Sequence, residues 1–192
     1  MTVEKTQDVY QLVPKFESEN WLLQQVSMSD AENLLKVYSD KKAVPFFNAD
    51  NCNRDTFYYD TEEKIKNAIH FWMDAYAVKA FVRWSIMNKE ENAAVGTIEL
   101  FHRDADDFFT DTGLLRLDLR SDYENEKNIE EILQMILPQT YDLFDCHKIA
   151  TKAVPEAKES IRALQKLGFH KTDHKLIGHD GTSYGDYFLI EK

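Results

Sequence analysis

The chain has 192 residues, 43% hydrophobic and 12% aromatic, with 30% charged residues and only 6 glycines and 4 prolines; this specifies one folded domain with a sizeable core and excludes a linker-like or low-complexity chain. A formal net charge of -11 opposes sequence-independent attachment to nucleic acid or anionic lipid, which need clustered Lys and Arg, and favours a cationic partner such as an amine. No apolar run approaches a membrane span, Met1 to Gln11 lacks a basic-then-apolar signal, and Cys52 and Cys146 are too few for a disulfide framework, so a cytoplasmic protein with reduced thiols is expected.

One domain is expected over residues 1–192, with residues 1–17 as an extended N-terminal segment. Asn20 to Val26 suits a first strand, and Ser29 with Glu32 forms a capping-box signature before the helical spacing of Leu34, Leu35, Val37 and Tyr38. VPFFNADNCNRDTFYYD follows, an aromatic loop rich in Asn and Asp and long enough to suggest function. From Thr61, the spacing of Ile65, Ala68, Ile69, Trp72, Met73 and Tyr76 predicts a second helix.

Ala80 to Met87 and Ala94 to Phe101 are β-rich and joined by NKEEN, a predicted hairpin. After the acidic loop DADDFFTD, the stretch Gly113 to Leu119 alternates Leu115, Leu117, Leu119 against Arg116, Asp118, Arg120, which predicts a strand with one polar face. RSDYENEKNIEEIL then opens a helix carrying Ile129, Ile132, Leu133, Ile136 and Leu137, with Pro138 expected to kink or end its first part. Ile149 to Val154 is a predicted strand, and Pro155 to Leu167 a helix stopped by Gly168. Gly168 to Ile177 and Tyr184 to Ile190 flank HDGTSYG as a terminal hairpin.

That order of elements, with VGTIEL, LRLDLRSDY and SIRALQKLGF, resembles the GNAT superfamily of acyl-CoA-dependent N-acetyltransferases from about Asn20 to the end, nearest the branch that acetylates ribosomal-protein N-termini. The resemblance implies an α/β (α+β) fold: a mixed central sheet of about seven strands, flanked by about four helices, in which two parallel strands splay apart. Those strands would be Gly113 to Leu119 and Ile149 to Val154. It further implies acetyl-CoA as co-substrate, with pantetheine pairing along Leu117, Asp118 and Leu119. The pyrophosphate would rest on the helix start at Asn125, Glu126, Lys127 and Asn128, where backbone N–H groups and the helix dipole favour an anion. The family's basic-then-two-glycine pattern is lost there. Asn125 and Lys127 stand at the glycine positions, Glu124 stands near the basic one, and Asp122, Glu124, Glu126, Glu130 and Glu131 surround the place for the phosphates.

Acetyl transfer to an amine needs a route for the amine proton and a proton donor for the departing thiolate. The family's common Tyr and Glu positions fall at Leu164 and Leu114, and a frequent Asn falls at Ala157. Ser160 matches the Ser that the ribosomal branch places near the thiol. Glu99 and Asp118 are the candidate bases, and Tyr58 and Tyr59 would cover the acceptor. Cys146 and His147 are strand neighbours pointing to opposite faces, which excludes a thiolate–imidazole pair. The spacing of His170, His174 and His179 matches no standard metal-ligand pattern. The expected function is acetyl transfer from acetyl-CoA to a primary amine of a small molecule or protein N-terminus, by a monomer or homodimer. The alternative is a non-catalytic GNAT-fold binding or sensor module with weakened CoA binding.

Overall fold

The structure, a computed structural model, describes residues 8–192. Of the N-terminal segment, residues 1–7 therefore lie outside the described part. From Asp8 a turn leads into the chain, Val9 and Val13 are buried in the main core, and a short strand β1 (Phe16–Glu17) follows.

The elements continue as β2 (Trp21–Gln25), α1 (Ala31–Tyr38), α2 (Glu62–Ala77), β3 (Val82–Asn88), β4 (Ala93–Arg103), β5 (Thr112–Leu119), α3 (Glu126–Leu143), β6 (Lys148–Lys152) and α4 (Lys158–Lys166). Four short strands close the chain: β7 (His170–Lys171), β8 (Leu176–Ile177), β9 (Ser183–Tyr184) and β10 (Tyr187–Glu191). An eight-stranded sheet runs β1-β2-β3-β4-β5-β6-β10-β7. Only the β5–β6 pair in it is parallel. Among the described residues, four α-helices and this mixed sheet make an α/β fold.

Local chemistry explains the boundaries. Thr61 caps α2 by accepting the Lys64 N–H at 3.2 Å, and Asn125 caps α3 by accepting the Asn128 N–H at 3.0 Å. α1 is entered differently from the Ser29–Glu32 expectation: the capping contact lies two residues earlier, at a short 3-10 turn (Met28–Asp30), where the Ser27 N–H donates to Asp30 Oδ2 at 2.9 Å. Gly168 has φ +94° and lets the Phe169 N–H reach the Leu164 carbonyl and its own N–H the Gln165 carbonyl, the two bonds that end a helix in a left-handed turn. Pro138 neither ends α3 nor divides it; the helix runs on to Leu143, because burial of Ile132, Leu133, Ile136, Leu137 and Thr140 along one face outweighs one missing donor. The terminal hairpin divides, with β7 pairing β10 and β8 pairing β9.

The two faces of the sheet differ in chemistry. Val82, Trp84, Ile86, Ile98, Leu100, Leu115 and Leu119 pack with α3 and α4 residues in an apolar core. On the opposite face Arg83, Ser85, Thr97, Glu99, Arg116 and Asp118 are also buried. They meet α1 and α2 through Tyr38, Asp30 and Trp72. The polar face of β5 is thus not a solvated one.

Candidate functional site

β5 and β6 pair only over Thr112–Leu115 and Lys148–Thr151. Beyond Leu115 the β5 edge that faced β6 is left without a strand partner, while its other edge stays paired to β4 as far as Leu119. The cause lies in β4. Its register against β3 shifts between the Ile86–Gly96 and Met87–Ala94 pairs, leaving Val95 as a bulge, and a bulge bends the strand that carries it. Gly96 allows β5 to follow the bend, since a Cβ there would stand 2.2 Å from the Asp118 carbonyl oxygen. The Arg120 N–H then bonds the bulged Val95 carbonyl at 2.9 Å. The end of β5 is drawn toward β4 and away from β6, opening a slot.

The slot is lined by Leu115 and Leu117 of β5, Thr151 to Ala153, Phe46 and Glu124, with Ala157, Ser160 and Leu164 of the α4 region over it. Side chains nearly fill it. The remaining cavity is 20 Å³, room for about one water molecule. Ser160 Oγ donates to Glu124 Oε1 at 2.7 Å. Burial raises the Glu124 carboxyl above the ordinary glutamate range, the Ser160 bond pulls it partly back, and the nearby Asp118 charge adds to the rise.

The helix start beside the slot already holds an anion. The Glu126 N–H donates to Glu159 Oε2 of α4 at 2.9 Å, and the Asn128 N–H is taken by the Asn125 cap. Asn125 is extended (φ -137°), so no left-handed residue is required here and the missing glycines cost no backbone strain. The Glu126 side chain turns away to Arg162, at 2.8 Å, and Lys166. Lys127 is highly exposed and 3.7 Å from Glu131, which in turn accepts the Trp21 indole N–H at 2.9 Å.

On the opposite face, Glu99 is gripped by both Arg83 and Arg116. Burial alone would raise its carboxyl, but the two guanidiniums outweigh that and hold it below the ordinary range. Asp118 Oδ2 accepts the Tyr38 hydroxyl at 2.7 Å and lies 3.3 Å from Arg83 Nη1. Its Oδ1 is buried without a hydrogen-bond partner. Burial raises the Asp118 carboxyl, and Arg83 and Tyr38 offset that rise only in part. Of the two sequence candidates for a base, Asp118 is therefore the stronger proton acceptor, while Glu99 has both oxygens committed.

A loop between α1 and α2 covers this face. Asp50 fastens it across the sheet: both its carboxylate oxygens accept from Lys152 Nζ, at 2.7 and 2.8 Å, and Oδ2 also accepts the Tyr187 hydroxyl at 3.1 Å. Beneath the loop lies a cavity of 690 Å³ whose wall includes Phe57, Tyr59, Trp72 and Phe81, with Arg83, Glu99 and Arg116 at its floor. Tyr59 donates to Asp55 at 2.8 Å and packs at a tilt against the Tyr38 ring. Tyr58 is half-buried and outside the lining of this cavity. Sequence reading passed over Arg83, Arg116, Tyr38, Asp50 and the inward turn of Glu124. A usable signal existed for Arg83, a lone charge in the apolar run AFVRWSIM, since a charge inside a buried strand requires a partner. Nothing local marks Glu124.

The acetyltransferase (GNAT) domain family matches residues 20–170, and the chain belongs to that family. Among solved structures it is similar to a GNAT-family acetyltransferase from Bacillus anthracis, at 19% identity and a TM-score of 0.67 over 93% of this chain and 98% of that one. It is likewise similar to a ribosomal-protein-S5-alanine acetyltransferase from Vibrio fischeri, at 18% identity and a TM-score of 0.68 over 93% and 96%, and to a GCN5-related N-acetyltransferase from Brucella melitensis, at 11% and 0.69 over 93% and 78%. At these identities the likeness is one of fold. A search of curated protein sequences gives no match.

Family members generally use acetyl-CoA. The residues present fit it in part. The free edge of β5 suits an extended pantetheine arm, but Glu124 stands in the slot and Glu159 holds an N–H at the helix start.

Proposed function

We propose that the protein is an acetyl-CoA-dependent N-acetyltransferase acting on a primary amine at the parting of β5 and β6. The observation that carries this reading is the parting itself, with Ser160 over the slot; Asp118 belongs to the same unpaired end of β5, its carboxyl buried on the opposite face of the sheet. Acetyl-CoA, when bound, would supply an acetyl thioester. Leu117, Asp118 and Leu119 would offer backbone groups to its arm, and the start of α3 at Asn125, Glu126, Lys127 and Asn128 its positive end to the phosphates, once Glu159 yields the Glu126 N–H.

The remaining roles belong to the chain's own side chains. Asp118 Oδ1 has free lone pairs, but Asp118 is fully buried and lines neither the slot nor the acceptor cavity, so it would receive the amine proton through an intervening water or hydroxyl. Glu99, fixed between Arg83 and Arg116, holds the floor of the acceptor cavity rather than moving protons. Ser160 Oγ holds a proton at the slot and can release it toward a departing thiolate. Tyr59 walls the acceptor cavity, Tyr58 borders the same loop, and the chain's net charge of -11 favours cationic acceptors on approach.

A second reading, a GNAT-fold binding module with weakened CoA affinity, draws on one specific contact: the Glu159 carboxylate on the Glu126 N–H, where the pyrophosphate would rest. Following thiol release from acetyl-CoA in the presence of a panel of primary amines separates the two. Amine-dependent thiol release that needs the protein supports the transferase. No release with any amine, together with acetyl-CoA binding by calorimetry, would leave the binding module.

A further inference from the structure

The transferase reading gives Glu124 no role, yet among the residues lining the slot it carries the only carboxyl. We propose that the Glu124 side chain is the slot's own occupant, so that an acyl-CoA arm enters only when the Glu124–Ser160 hydrogen bond breaks and Glu124 turns outward. The proposal rests on the reading of the slot as the acyl-CoA site.

Three observations carry it. The first is space: with Glu124 inward the slot keeps only 20 Å³, which cannot admit a thiol arm. The second is anchoring: the carboxyl is held by the hydroxyl of Ser160 at 2.7 Å, and no cation reaches it among the described residues. Lys152 lines the same slot, but both its carboxylate contacts go to Asp50. A buried carboxyl held by a single hydroxyl is weakly compensated and can be released, unlike one held by guanidinium groups. The third is position. Glu124 lies in the loop between Arg120 and the Asn125 cap, outside both β5 and α3, and is half-buried, so turning its side chain outward disturbs neither element.

Glu159 acts in the same direction at the neighbouring helix start, where its carboxylate takes the Glu126 N–H at 2.9 Å. The two contacts together fill the positions that an arm and its phosphates would take. Apparent affinity for an incoming arm is then the intrinsic affinity reduced by the fraction of molecules with Glu124 outward.

Calorimetry of the full chain with pantetheine, which has no phosphates, and with CoA tests the proposal. Glu124→Ala should tighten both ligands by about tenfold or more, because the competing occupant is gone. Glu124→Gln keeps the size and a hydrogen bond to Ser160, and should gain much less. If Gln gains as much as Ala for CoA while pantetheine binding does not move, Glu124 acts by charge on the phosphates and occupancy is overturned. CoA binding by the Ala variant at wild-type strength overturns it too. Should Glu124→Ala not fold, Ser160→Ala, which keeps Glu124 but removes its anchor, must tighten pantetheine; unchanged affinity there overturns the proposal. Absence of CoA binding in wild type and every variant instead removes the acyl-CoA reading itself, and the proposal falls with it.

Discussion

Glu99 and Glu124 are both withdrawn from solvent beside β5, one on each side of it, and they are compensated in opposite ways. Glu99 is bound by Arg83 and Arg116 and held below the ordinary carboxyl range. Glu124 has only the Ser160 hydroxyl, and burial raises it. The difference separates structure from mobility. A carboxylate between two guanidiniums cannot leave without stranding buried cations, whereas one held by a hydroxyl can leave for the price of a single hydrogen bond. The face proposed for the acceptor is thereby fixed in charge, and the slot proposed for the cofactor is adjustable.

The most forceful way to break that contrast is to remove the cation shared by Glu99 and Asp118. Arg83→Met should destabilise the fold by about 3–5 kcal/mol, since two buried carboxyls lose a partner together. Urea unfolding measures it, and a loss under about 1 kcal/mol would contradict the network's importance. Next in size is the separation of the two candidate bases. Asp118→Asn should lower turnover on a verified amine about a hundredfold and displace the acidic limb of its pH–rate profile. Glu99→Gln should leave that limb in place, because a carboxyl paired with two arginines is already ionised below the working range. If Glu99→Gln moves the limb and Asp118→Asn does not, the roles are reversed.

Ser160→Ala should act on the cofactor side alone. It should lower turnover by about tenfold, by loss of a proton donor, while pantetheine binds more tightly. Turnover and affinity moving apart would distinguish this from simple damage to the site.

The smallest effect is also the sharpest in sign. The folded-state carboxyl of Glu124 is raised, so its contribution to stability is fully present below the unfolded value of 4.5 and is lost as pH rises through the higher folded value. For Glu99 the folded value is lowered, so its contribution is present above 4.5 and is lost as pH falls through the lower folded value. Relative to the corresponding Gln variants, wild-type stability should therefore fall with rising pH in the Glu124 comparison and rise with it in the Glu99 comparison. Urea unfolding of both variants from acid to neutral pH would show it, and slopes of equal sign would refute the contrast.

Much of the architecture is legible in the sequence because it is written in local periodicity. Alternating leucines specify β5, the spacing of Ile129, Ile132, Leu133 and Ile136 specifies α3, and Gly168 stops α4 where a left-handed residue is needed. Pro138 does not end α3, because a local rule about one donor gives way to a long apolar face. The candidate site is less legible. Arg116 and Asp118 read as a polar face, and polarity along a strand does not say whether water or another element will meet it. Ser160 could be placed over the slot through the family resemblance, but its partner, Glu124, is 36 residues away in sequence.

By itself, then, the sequence determined the order of elements, the family and the acidic character of the α3 entrance, all of which depend on neighbours within a few residues or on composition. The tertiary structure decided what those charges do. The bulge at Val95 parts β5 from β6, α1 and α2 bury the Arg83–Glu99–Arg116 network, and α4 brings Glu159 and Ser160 to the start of α3. The physical reason is distance: the free energy of a charge depends on burial and on partners within a few ångströms, and in this chain those partners come from segments far apart in sequence.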